Sequence, residues 1–203
     1  MSDRFKDLKK FPQEPAARLL ANANAKLGTQ VKAPVTAPVS VVLEELDEVG
    51  APIDLLRLLS VALPARERVW WACLAARDLV GQDAQTAPRP LVAAEEWVYR
   101  PSDENREQVR VALEQADDED DTTHCARSAL LANGTMGPGE MDEHPAPPGG
   151  SESSAFAMSV IALGAHSETF AEYANLLVER ALDIARGGNG RLDGKAPTGV
   201  PAE

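Results

Sequence analysis

The sequence predicts an all-α fold, a single compact bundle of about seven short helices, and three observations predict it. Apolar residues make up 44% of the chain but aromatics only 4%, so alanine, leucine and valine must fill the core. Small side chains let backbones approach closely, which suits packed helices better than an aromatic-rich sheet. Apolar residues also recur at helical spacing between proline and glycine breaks, and residues 69–76 are apolar on every side, as in a helix enclosed by neighbours.

Residues 1–37 are expected to form a flexible N-terminal arm. Pro12 and Pro15 precede a weak helical stretch over 16–27 that stops at Gly28, and residues 29–38, with Pro34 and Pro38, are spaced like an extended linker. Such a helix either docks on the domain or swings free. The domain itself spans 38–187. Val42, Leu43, Leu46 and Val49 have helical spacing up to the break at 50–52, although Val41 and Val42 leave a short strand open. Leu55, Leu58, Leu59 and Ala62 form the next stripe, with Asp54 at its start, where an acid suits the helix dipole.

Pro64 opens the central helix, 64–80, because a proline in the first turn has no N–H to leave unpaired. Gly81 ends it. A helix over 91–99 follows, broken by Pro101. Ser102 is a good N-cap for the next, whose stripe is Val109, Ala112, Leu113 and Ala116. Five adjacent acids at 117–121 repel one another and predict a solvated loop. A helix from Thr122 or Thr123 to Leu131 then closes at Asn133-Gly134.

Residues 134–150, dense in glycine and proline, predict a long irregular loop of the kind that usually carries function or stays disordered. The last helices are 151–163 and 167–186. The second is expected to be capped by Ser167 and to bury Phe170, Tyr173, Ala174, Leu177, Ala181 and Ile184. Residues 188–203 are expected to be a flexible tail.

Charge narrows the function classes. Twenty basic residues against 32 acidic ones give a net −12, which offers no basic footprint for nucleic acid and disfavours an anionic membrane surface. Such a charge serves solubility in general and suits a basic partner in particular. Cys73 and Cys125 are too few for a disulfide scaffold, no signal-like apolar region follows Met1, and the apolar run 69–76 is far shorter than the roughly 17–25 residues of a membrane span. A cytoplasmic protein is expected.

No chemical motif stands out. His124 and Cys125 are adjacent and so point about 100° apart on a helix, a poor arrangement for chelation or proton transfer. Met136, Met141 and His144 share the 134–150 loop without any zinc-like spacing. Cys73 sits in the apolar helix as a small hydrophobe, with Arg66, Arg68 and Arg77 as that helix's polar rim. Glu44-Glu45 and Glu95-Glu96 are most simply solvated faces. No phosphate loop, dinucleotide fingerprint or Gly-x-Ser-x-Gly is present, and no cofactor or metal is expected. Of the tryptophans, Trp70 and Trp71 point to different sides of one helix and are better suited to the core, whereas Trp97 and Tyr99, near a helix end, suit an interface.

The stretch from Ala62 to Arg77, with Leu63-Pro64, Arg66 and Trp70-Trp71-Ala72-Cys73, resembles the signature of a bacterial family of unknown function. Ala93-Ala94-Glu95-Glu96-Trp97-Val98, followed by Pro101, Asn105 and Arg106, is similar to its second block. The resemblance covers about residues 40–185, departs from the family at Asn133-Gly134-Thr135 where a Ser-Gly-Gly type is expected, and is most specific at Trp70 to Cys73. It implies an association with contractile (type VI-like) secretion components and carries no catalytic residues.

The function expected is therefore that of a non-enzymatic, protein-binding adaptor, with Trp97, Tyr99, Met136, Met141 and His144 as candidate contacts. Two alternatives remain open: an immunity-type inhibitor whose acidic surface masks a basic toxin, and an enzyme using His124 or His144.

Overall fold

The computed structural model describes residues 3–83 and 85–192. Among them are nine α-helices and no strand: α1 (Ala16–Asn22), α2 (Val39–Glu48), α3 (Pro52–Ala62), α4 (Ala65–Val80), α5 (Arg89–Tyr99), α6 (Asp103–Glu114), α7 (Thr123–Leu130), α8 (Gly150–Ala165) and α9 (Phe170–Arg186). Eight of the described helices, α2 to α9, make up the domain, close to the seven or so expected, and Val41 and Val42 belong to a helix.

Helices α4 and α8 lie at the centre, α4 packed against α5, α7, α8 and α9, and α8 also against α3 and α7. Between Val69 and Ala76 every residue but Trp70 is buried, as the all-round apolar pattern of that segment requires. Helices α7 and α8 pack closely, with the small residues Ala126, Ala129 and Ala155 all buried, and are fastened by Ser128 and Ser151, whose hydroxyls each donate to the other's carbonyl at 2.9 Å. Several helix ends follow the local signals. The Ser102 hydroxyl accepts the Asn105 amide at the start of α6, and Gly187 closes α9 in the left-handed conformation.

Over its described part the arm docks on the domain, the first of the two arrangements open to it. Phe5 and Phe11 are buried against the domain, and the Lys10 amide donates to the Ala185 carbonyl at 2.9 Å. Burying a phenylalanine is worth about 1.5–3 kcal/mol, enough to hold a short segment down. Helix α1 stops at Asn22, short of Leu27, and the linker after it lies along α2 and α3. There the Asp54 carboxylate accepts the Gly28 and Thr29 amides at 3.0 and 2.7 Å, and Glu45 accepts those of Lys32 and Ala33.

The start of α9 also differs from expectation. Ser167–Thr169 form a 3-10 turn, Ser167 makes no cap, and Phe170 is 41% exposed. The helix begins at Phe170 itself, before its buried stripe engages, so only Tyr173 onward reaches the core. At the other end, residues 188–192 fold back on α4: the Asn189 carbonyl accepts the Trp70 indole N–H at 2.7 Å, and Gly190 is buried. The rest of the expected tail, 193–203, lies outside the described residues.

Candidate functional site

The 134–150 loop is organised by one residue from α6. Arg106 is fully buried, a costly position for a guanidinium unless its N–H groups are matched. Its Nε donates to the Leu130 carbonyl at 2.7 Å, and one terminal nitrogen donates to both the carbonyl and the hydroxyl of Thr135. The other terminal nitrogen meets Asp142 Oδ1 at 3.4 Å. The Thr135 hydroxyl also donates to that Asp142 oxygen, at 2.9 Å. Around this anchor the chain closes into a knuckle: Met136 N–H donates to the His144 carbonyl, Ala146 N–H to the Gly134 carbonyl, and a 3-10 turn, Gly139–Glu143, forms the tip. Met136 and Met141 are 37% and 40% exposed on it, and His144 is exposed beside them.

Further along, Gly149 adopts φ +73° and presses on the end of α1, where a Cβ would stand 1.9 Å from the Ala23 carbonyl oxygen. Only glycine fits that contact.

A second concavity, of about 390 Å³, opens where the ends of α4, α5 and α9 meet. Trp70, half-buried, and Tyr99, 66% exposed, form its aromatic wall with ring centroids 6.0 Å apart. Arg191 lies over the Trp70 ring, 5.2 Å from its centroid, and Arg66 donates through Nε to the Val98 carbonyl at 2.6 Å. Lys10 and Glu67 pair at 2.9 Å on its edge.

Of the expected contact residues, the structure therefore exposes Tyr99, Met136, Met141 and His144 but places them on two separate features. Trp97 is corrected: it is 2% exposed and belongs to the core, because it continues the Ala93–Ala94 face of α5 inward. Arg68 and Arg77 are likewise not a polar rim. Arg68, buried, donates to the Ser60 and Leu63 carbonyls and pairs with Glu152, joining the α3–α4 turn to the start of α8. Burial lowers its pKa while Glu152 opposes that shift. Arg77 pairs with Glu95, so one member of the Glu95-Glu96 pair is an internal partner; Glu45, holding the linker, is another such exception.

His124 and Cys125 do not converge. Cys125 is buried against Cys73, whose thiol is pushed well above its ordinary pKa chiefly by burial and then by that neighbour. His124 is half-buried, and burial followed by Arg127 lowers its pKa. The 117–121 run is a loop as expected, but its acids also shape it: Asp117 accepts the Glu119 amide and Asp120 caps Thr122. A buried polar cluster that the sequence did not suggest joins α4 to α9. The Tyr173 hydroxyl and Arg180 both contact Asp78, while the His166 ring stacks on Tyr173 at 3.9 Å. Burial, then Asp78, raises the Tyr173 pKa, which keeps the phenol a donor. Among the described residues no group of three or more His, Cys, Asp or Glu is placed to hold a metal ion, and no helix is long and apolar enough to cross a membrane.

The model of a family of unknown function, DUF6931, matches residues 42–185, from the second turn of α2 to the last turn of α9. The chain belongs to DUF6931. The match includes α4 with its tryptophan pair, Arg106 and the whole knuckle, and leaves out the arm and the residues after α9. The DUF6931 domain thus contains the knuckle entire, whereas the cleft draws Lys10 and Arg191 from outside it. No curated protein and no solved structure matches the chain.

Proposed function

We propose that this DUF6931 protein is a non-enzymatic accessory protein that docks on another protein through the 134–150 knuckle. The carrying observation is the Arg106 anchor: a fully buried guanidinium holds a glycine- and proline-rich segment in one shape while two methionines stay partly exposed on it. Methionine is a pliable apolar contact group, and fixing its backbone beforehand reduces the ordering cost of binding. A working site beside a contractile (type VI-like) secretion apparatus is the setting that the sequence resemblance implies, and a component of such an apparatus is the partner proposed.

The test replaces Met136 and Met141 together with serine. Met136 and Met141 are 37% and 40% exposed, so part of each side chain packs on the knuckle and the double variant is expected to lose about 1–2 kcal/mol, read beside binding by chemical denaturation. Photo-crosslinking from position 141 in the native cell should yield one dominant protein adduct that the Met136→Ser variant weakens. An adduct pattern indistinguishable between the two would remove the knuckle as the docking element.

A further inference from the structure

The Trp70–Tyr99 cleft carries chemistry that the knuckle does not use. Three basic side chains, Lys10, Arg66 and Arg191, line it against one acid, Glu67, on a chain whose net charge is −12. Glu67 is already taken by Lys10. Arg66 donates through Nε to the Val98 carbonyl and Arg191 lies over Trp70, and neither has a carboxylate partner among the described residues. Two unneutralised guanidinium groups thus flank an exposed aromatic wall, and the Asn189 carbonyl fixes the Trp70 ring by its indole N–H. Tryptophan, tyrosine and arginine are also the side chains that dominate binding energy at protein interfaces. The cleft is broad and open, unlike a small-molecule pocket that encloses most of its ligand.

We propose that this cleft is a second docking site, which takes an acidic peptide segment of a partner protein: an aromatic or aliphatic side chain against Trp70 and Tyr99, flanked by Asp or Glu carboxylates on Arg66 and Arg191. Guanidinium groups bind carboxylates through paired N–H donors, so the arginines supply orientation as well as charge. Attraction of an acidic segment to an acidic protein has to be local, which makes the contact sensitive to salt.

The experiment selects phage-displayed random heptapeptides on the immobilised full chain, then measures the winners by fluorescence anisotropy. Selected peptides are expected to carry at least one aromatic or aliphatic residue beside two or more acids and to shift the Trp70 indole N–H resonance. The Arg66→Glu, Arg191→Glu double variant should bind them at least about tenfold more weakly, as loss of interface hot spots does. Tyr99→Ser, at an exposed position that cannot unfold the domain, should weaken them as well. Met136→Ser with Met141→Ser should leave them unchanged, which separates this site from the knuckle. Selection of no peptide, selection of basic or uncharged peptides, equal binding by the charge-reversed variant, or displacement by inorganic phosphate or a nucleotide at equal concentration would each overturn the proposal.

Discussion

The N-terminal arm and the 134–150 loop are both rich in the residues that break regular structure, yet they are attached to the domain in different ways. The arm is held at many points: Phe5 and Phe11 in the apolar core, the Lys10 amide on α9, and two carboxylates, Asp54 and Glu45, receiving four linker amides. The loop hangs on one guanidinium that reaches Leu130, Thr135 and Asp142. Dispersed apolar contacts fail gradually, since each contributes on its own. A single buried cation matched to several acceptors fails all at once, because its removal leaves those acceptors without donors. The two segments even touch, at Gly149 and Ala23, so release of one is felt by the other.

Breaking the loop's attachment has the largest expected effect. Arg106→Ala should cost about 3–5 kcal/mol, from unmatched carbonyls and the cavity left behind, and should bring fast amide exchange across the knuckle. Chemical denaturation together with hydrogen exchange of 134–146 checks both parts; a knuckle still protected in that variant would show that Arg106 is not its anchor. Phe11→Ala should cost less, about 2–3 kcal/mol, because the arm can retreat partway instead of keeping a full cavity. Exchange should rise over the arm and stay unchanged in the knuckle.

The smallest effect concerns Asp54. Burial raises its pKa, but hydrogen bonds from the Thr29 side chain and from the Gly28 and Thr29 amides outweigh that and hold it below the ordinary carboxylate value. A group depressed in the folded state stabilises it above the unfolded pKa, about 4, and that share is lost as pH falls through the lower folded value. Asp54→Asn should therefore lose about 1 kcal/mol near neutrality and flatten the acid limb of the stability curve below about pH 4. An acid limb of unchanged slope would exclude this role.

Local signals made most of the fold legible before any contact was known. Pro64, Gly81, Pro101, Ser102 and Gly187 bound helices where proline, glycine and capping chemistry require. Trp97 was legible too: it sits three and four residues after Ala94 and Ala93, on one helical face, and that periodicity outweighs its nearness to the helix end. What spacing cannot display is a partner distant in the chain. Nothing local to Arg106 in the first turn of α6 indicates that its partners are Leu130 and Thr135, which arrive from another part of the chain. The cleft is of the same kind, since Arg66, Tyr99 and Arg191 come from three separate segments. Phe170 shows the converse: a residue that fits a buried stripe in projection remains outside because its helix starts there.

Cys73 on α4 and Cys125 on α7 are both reduced and wholly shielded at the middle of the bundle. Neither sulfur meets solvent until those helices part, and fraying of the arm or the knuckle leaves them covered. A thiol-reactive dye added to the native chain is therefore a stopwatch for opening of the central layer alone.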